Sequence, residues 1–265
     1  MNILEEIVQH KKMEVTSSKL IIPICELEQM KFFTRQALKL TDFLRDPEKT
    51  GIIAEFKRKS PSKGMINKTS SVEEVTLGYT SAGASALSIL TDFNFFGGSV
   101  DDLMKARKIS EIPILRKEFI IDEYQVYEAK AVGADAILLI AAILDKKQAR
   151  HLAFKAKELG LQTLLELHDE SEIDIVNEYV DLIGINNRNL KTFVVDHEHS
   201  IKLAEKIPDN FLKISESGIE SPDDIIFLIQ HGFEGFLIGE TFMKKENPGQ
   251  AFADFVESLN TKQKK

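Results

Sequence analysis

The stretch 52–64 reads IIAEFKRKSPSKG, four hydrophobic residues in the first five followed by four cations. A short run this apolar fits a buried strand, with little polar surface for water. Side chains alternate along a strand, so Ile53, Glu55 and Lys57 share one face while Ala54 and Phe56 share the other. Charges on a buried strand are expensive to desolvate unless they are paired or used. Whatever lies opposite Glu55 and Lys57 therefore decides what the protein does.

Working outward, seven more apolar runs follow: ALSILTD, IPILRKEF, DAILLIAA, QTLLELH, DLIGINNR, FLKISESG and FEGFLIGE. They recur roughly every 20–35 residues, the spacing of a strand-plus-helix unit. Helical stretches lie between them. Residues 145–160 put Leu152, Ala153, Ala156 and Leu159 on one face and stop at Gly160. Residues 221–232 offer Ser221 as N-cap, Pro222 at the first helical position and Gly232 as terminator. An open doubly wound sheet would have fewer strands and a Gly-rich dinucleotide loop, and neither GxGxxG nor GxxxxGK[ST] occurs. The expected fold is α/β, a closed (β/α)8 TIM barrel forming one domain over 1–265. Residues 1–50 form an N-terminal helical extension: Ile3, Leu4, Ile7 and Val8 predict a short amphipathic helix, and Leu38 to Leu44 another helical piece.

Composition narrows the partners. A net charge of −8 gives no general attraction to nucleic acid or an anionic membrane. Any anion must meet a local cluster, for which Lys57, Arg58, Lys59 and Lys63 are candidates. No apolar run approaches the ~18 residues of a membrane span, and the N-terminus lacks the apolar core of a signal peptide, so a soluble cytoplasmic protein is expected. Cys25 is the only cysteine, which excludes an internal disulfide and a Cys-rich metal site. It is expected to be a small apolar filler. The six histidines show no metal-binding spacing, and His168 is expected at the rim.

Barrel enzymes keep their chemistry at the C-terminal strand ends. Here the polar residues collect there: Glu55 and Lys57, Lys117, Glu166, Asn186 and Arg188, then Glu216 and Ser217. Same-face residues nearer the strand starts are apolar or small: Ile53, Leu115, Leu164, Gly184 and Ile214. A lone Glu at a strand end is ordinarily a solvated rim residue, but five strands ending this way argue for a site. The loops after the last two strands, ESGI and IGET, carry Gly218 and Gly239, which allow the close backbone approach a phosphate needs. A bulky residue at Gly239 is accordingly expected to raise the Michaelis constant much more than it lowers turnover.

The whole chain resembles the indole-3-glycerol phosphate synthase family. The matching motifs are IIAEFKRKSPSKG, TDFNFFGGS, ILRKEFI, LLELHDE, IGINNRNL, ISESGI and FLIGETFM, in the family's order. The resemblance implies closure of 1-(2-carboxyphenylamino)-1-deoxyribulose 5-phosphate to indole-3-glycerol phosphate in tryptophan biosynthesis, with loss of carbon dioxide and water and with no cofactor or metal. It implies Lys117 as general acid, acid–base roles for Glu55 and Glu166, an anion-attracting role for Lys57 and an orienting role for Asn186. Ser217 completes the catalytic set. Ser217, Gly218, Gly239 and Glu240 match the phosphate cradle, and Phe96, Phe119 and Leu190 the pocket for the benzene ring; Ser60, Arg188 and Glu216 join the substrate-binding set. A monomer or weak dimer acting on a small phosphorylated substrate is expected. The alternatives are another phosphosugar barrel, such as phosphoribosylanthranilate isomerase or the tryptophan synthase α subunit, and a non-catalytic ligand-binding barrel.

Overall fold

The computed structural model describes residues 3–189 and 194–263. The eight expected strands are all present: β1 (Ile52–Phe56), β2 (Ala86–Leu90), β3 (Ile114–Lys117), β4 (Ala136–Ile140), β5 (Gln162–Leu167), β6 (Leu182–Asn186), β7 (Leu212–Glu216) and β8 (Gly235–Ile238). They pair in parallel in chain order, and β1 closes the ring against β8, with Ile53 opposite Leu237 on one side and Ala86 on the other. The opening stretch therefore holds the seam of the barrel. Its cationic tail folds back as a small hairpin, Lys59–Ser60 against Gly64–Met65.

Around the barrel run α2 (Val72–Ser81), α3 (Val100–Ile109), α4 (Glu123–Val132), α5 (Lys146–Glu158), α6 (His197–Ala204), α7 (Pro222–Gln230) and α8 (Pro248–Gln263), while α1 (Ile3–Ile21) belongs to the extension. Side-chain caps start several of them. Asp145 accepts from the Lys147 and Gln148 N–H groups, and Ser221 from that of Asp224. The fifth unit departs from the pattern. Between β5 and β6 the chain forms a 3-10 helix, Glu170–Ile175, instead of an α-helix. Its sequence explains this: in ESEIDI only Ile173 and Ile175 are apolar, and two residues apart they reach the core without forming a stripe of helical period.

Strand alternation separates two cores. Ile52, Ala54 and Phe56 face outward into the layer between strands and helices. Ile53, Leu115, Leu138, Leu164, Leu182, Ile214 and Leu237 fill the barrel interior. The extension embraces both ends of that interior. At the top, Ile3, Leu4 and Ile7 of α1 reach over the strand ends. Along the side, Val15 and Leu27 pack with Tyr124 and Ala131 of α4, and the Tyr124 hydroxyl donates to the Ser18 and Ile22 carbonyls. At the bottom, Leu40 and Leu44 enter the interior core. Fully buried Asp135 anchors that end, accepting from Arg35, Arg107 and the Leu38 and Ile114 N–H groups at 2.6–2.8 Å.

Two expectations change. The first helix is long, 19 residues, not short. Cys25 is exposed, so it is not a core filler; the short turn Ile24–Leu27 buries Leu27 instead. Among the described residues no helix is long and apolar enough to cross a membrane.

Candidate active site

Each strand that ends in a charge delivers it to one pocket at the top of the barrel. Glu55, Lys57, Lys117, Glu166, Asn186 and Glu216 all line it. The apolar layer beneath, Leu115, Leu164 and Ile214, excludes water from below, so Glu55, Glu166 and Glu216 are only 2–4% exposed.

Their contacts form one network. Lys117 Nζ donates to Glu166 Oε2 at 2.8 Å and to Glu216 Oε2 at 2.6 Å. Asn186 Nδ2 donates to Glu166 Oε1 at 2.9 Å, and the Arg188 N–H donates to Asn186 Oδ1 at 3.0 Å, which fixes the amide's orientation. Across the pocket Lys57 Nζ lies 2.6 Å from Glu55 Oε1. Gly184 makes room for Glu216, since a Cβ there would stand 2.2 Å from Glu216 Oε1.

Two lysines thus face three carboxylates, and the surplus negative charge decides the protonation states. Burial opposes the charge on Lys117, but Glu166, Glu216 and Glu55 outweigh it and raise its pKa. Burial likewise works against ionised Glu166, yet Lys117 and His168 hold it well below the usual carboxylate range. Glu216 is the one left over. Burial, with Glu166 and Glu55 nearby, pushes it up to about 7 despite Lys117. The site therefore holds a charged amine between an ionised carboxylate and one that titrates near neutrality.

His168 departs from its expected place at the rim. Its Nε2 stands 3.0 Å from Glu166 Oε1 as an ion-pair contact, its side chain is 9% exposed, and Glu166 raises its pKa against the effect of burial. Strand alternation carried the signal, because residues 166 and 168 share a face.

The aromatic end of the pocket is built by Phe96 and Phe119, whose ring centroids are 5.8 Å apart. Ile3, Leu4, Ile7, Leu138 and Ile140 complete the apolar wall, and of these Leu138 and Ile140 carried no signal in the sequence. Leu190 lies outside the described residues. The opposite end is polar. Arg188 donates to Ser62 Oγ at 2.9 Å and to Glu240 Oε2 at 3.2 Å. Ser217 and Gly218 both take left-handed backbone (φ 69° and 70°), and a Cβ on Gly218 would strike Val195. Asn187 holds this turn by donating to the Ser217 carbonyl at 2.7 Å. Gly239, Glu240 and Thr241 line the same corner, together with Ser60 and Ser62 from the hairpin.

The cation cluster of the opening stretch divides. Lys57 lines the pocket, but Arg58 turns away to Asp102, its Nη2 2.9 Å from Oδ1, with its guanidinium over the Phe56 ring. Lys59 donates to the Asn94 carbonyl, and Lys63 lies at the polar corner, 3.7 Å from Glu240. Among the described residues no group of three or more His, Cys, Asp or Glu side chains has a metal-holding arrangement.

A tryptophan synthase α-subunit mutant from Pyrococcus furiosus superposes with a TM-score of 0.61, covering 80% of this chain and 99% of that one, but at 14% identity the likeness is one of fold alone. An indole-3-glycerol phosphate synthase from Bacteroides thetaiotaomicron is 48% identical over 258 residues, 97% of this chain and 99% of the relative. Another, from Caldanaerobacter subterraneus subsp. tengcongensis, is 42% identical over 245 residues, 92% and 94% of the two chains. The sequence model "Indole-3-glycerol phosphate synthase" matches residues 4–255. The chain belongs to the indole-3-glycerol phosphate synthase family.

Proposed function

We infer that the chain performs its family's reaction: ring closure of 1-(2-carboxyphenylamino)-1-deoxyribulose 5-phosphate to indole-3-glycerol phosphate, with release of carbon dioxide and water. It is a carbon–carbon lyase step of tryptophan biosynthesis. One observation carries the central role of Lys117. Lys117 Nζ sits between Glu166 and Glu216, below a pocket aromatic at one end and polar at the other.

The substrate's benzene ring lies against Phe96 and Phe119, and its phosphate sits at the corner of Arg188, Ser217, Gly218, Gly239 and Glu240. Lys57 attracts the ring carboxylate. The ribulose carbonyl then spans the centre, where Lys117 donates a proton to its oxygen as the ring carbon bearing the carboxylate attacks. Positioned proton donation of this kind contributes about 10²–10⁴-fold. Loss of carbon dioxide returns the bonding electrons to the ring. Departure of the new hydroxyl as water needs an acid, and removal of the remaining proton a base. Glu55 and Glu166 supply these, Asn186 and His168 orient Glu166, and Glu216 keeps Lys117 aimed.

The test is direct. The purified protein, mixed with the carboxyphenylamino substrate, is expected to generate indole fluorescence with one carbon dioxide released per product. Substrate binding without fluorescence would favour the ligand-binding alternative.

A further inference from the structure

Lys11 of α1 is fully buried, an unusual place for an ammonium. It faces three carboxylates: Glu14 Oε2 at 3.0 Å, Asp92 Oδ2 at 3.1 Å and Glu118 Oε1 at 3.0 Å. Asp92 and Glu118 are themselves buried. Each uses its carboxylate to hold the backbone of an aromatic pocket residue. Asp92 Oδ1 accepts from the Phe95 and Phe96 N–H groups at 2.7 and 3.2 Å. Glu118 Oε1 accepts from the Phe119 N–H at 2.8 Å, while its other oxygen takes the Thr91 hydroxyl. One ammonium therefore joins the two carboxylates that place Phe96 and Phe119.

Lys11 also shares a helix face with Ile7, one turn earlier, and Ile7 with Ile3 and Leu4 lines the same pocket. Seating Lys11 thus brings the apolar lid down as it fixes the rings beneath. Taking it away would leave Asp92 and Glu118 as buried like charges whose repulsion spreads the two loops. Arg116 relieves only Glu118, at 3.8 Å, because its guanidinium is committed to Glu128 at 2.5 Å.

We propose that Lys11 is a positioning residue for the aryl end of the substrate, coupling the docking of α1 to the placement of Phe96 and Phe119. The proposal rests on reading the Phe96–Phe119 pocket as the aryl site. Among the described residues the turns after β7 and β8 take no bond from this node, so the effect falls first on the aryl end of the ligand.

The test uses the full chain as Lys11→Met and Lys11→Arg, with 2-aminobenzoate and inorganic phosphate as separate inhibitors of the turnover assay. Lys11→Met is expected to weaken 2-aminobenzoate inhibition by about tenfold or more while phosphate inhibition stays within about twofold. Lys11→Arg keeps the charge and is expected to recover part of the loss. Equal weakening of both inhibitors would mean a general scaffold role, and no change in either would mean no role; both overturn the proposal. If Lys11→Met does not fold, Glu118→Gln measured in the same way decides, with the same selective loss expected and an equal loss overturning it. Phe119→Ala is measured alongside. Parent-like 2-aminobenzoate inhibition in that variant would show that the aryl reading itself had failed, and the proposal with it.

Discussion

Glu216 is where single-residue physics is most exposed. Its pKa rises to about 7 because it is buried and shares one lysine with Glu166. In the unfolded chain the same carboxyl ionises near its usual value, so between about pH 4.5 and 7 the folded state holds the extra proton. Stability linked to Glu216 is therefore full below that window and is lost as the pH rises through it. Glu216→Gln removes the titration. The melting temperature of the variant, relative to the parent, is expected to climb from pH 4.5 to 7.5, as thermal melts at several pH values would record; a flat difference would mean that Glu216 ionises normally. The role of Glu216 was hidden in the sequence. Alternation put it on the inner face of its strand, but its partner comes from β3, 99 residues away, and only barrel closure brings them within 2.6 Å. Lys117 illustrates the same limit. Its sequence position made burial and nearby carboxylates both foreseeable, with opposite effects on its pKa, and the number of carboxylates that converge on it settles the sign as upward.

Among the elements, the strands were legible and the extension less so. Each strand is a short apolar run, a local signal, whereas the docking of α1 buries Lys11, which makes sense only once Asp92 and Glu118 lie beside it. The 3-10 segment after β5 was likewise masked by the expectation of regular repeats. Because α1 contributes Ile3, Leu4 and Ile7 to the pocket wall, deleting residues 1–40 is expected to lower kcat/KM strongly, by about 10²-fold or more, as steady-state kinetics would measure. Full efficiency in the truncated protein would mean that α1 is ornamental. The turn after β8 gives a sharper case. A Cβ on Gly239 would lie 2.6 Å from Glu55 Oε1, so the backbone there presses on a proposed catalytic carboxylate as well as lining the polar corner. This alters what the sequence suggested for the position. Gly239→Ala is expected to lower kcat by about tenfold or more along with raising KM, since a misplacement of about 1 Å can cost about 10²-fold. A change in KM alone would show that Glu55 can move aside without consequence.

For the whole molecule, eight apolar runs at regular spacing announced a closed parallel barrel, and the charged residues at their C-terminal ends located the site on its upper face. What the sequence left dark was the wrapping of the extension from the upper face to the base, where Leu40 and Leu44 enter the barrel interior. That wrapping leaves the pocket at the top, apolar at one end and polar at the other, with Lys117 between. The central claim is that this lysine is the acid. Lys117→Met preserves much of the bulk of the side chain and removes the proton. Steady-state turnover together with titration of a substrate analogue separates loss of the proton from loss of binding. The account predicts that kcat falls by about 10²–10⁴-fold while analogue affinity stays within a few-fold of the parent; turnover within a few-fold of the parent would contradict it and move the proton donor to another residue, with Glu55 the first suspect.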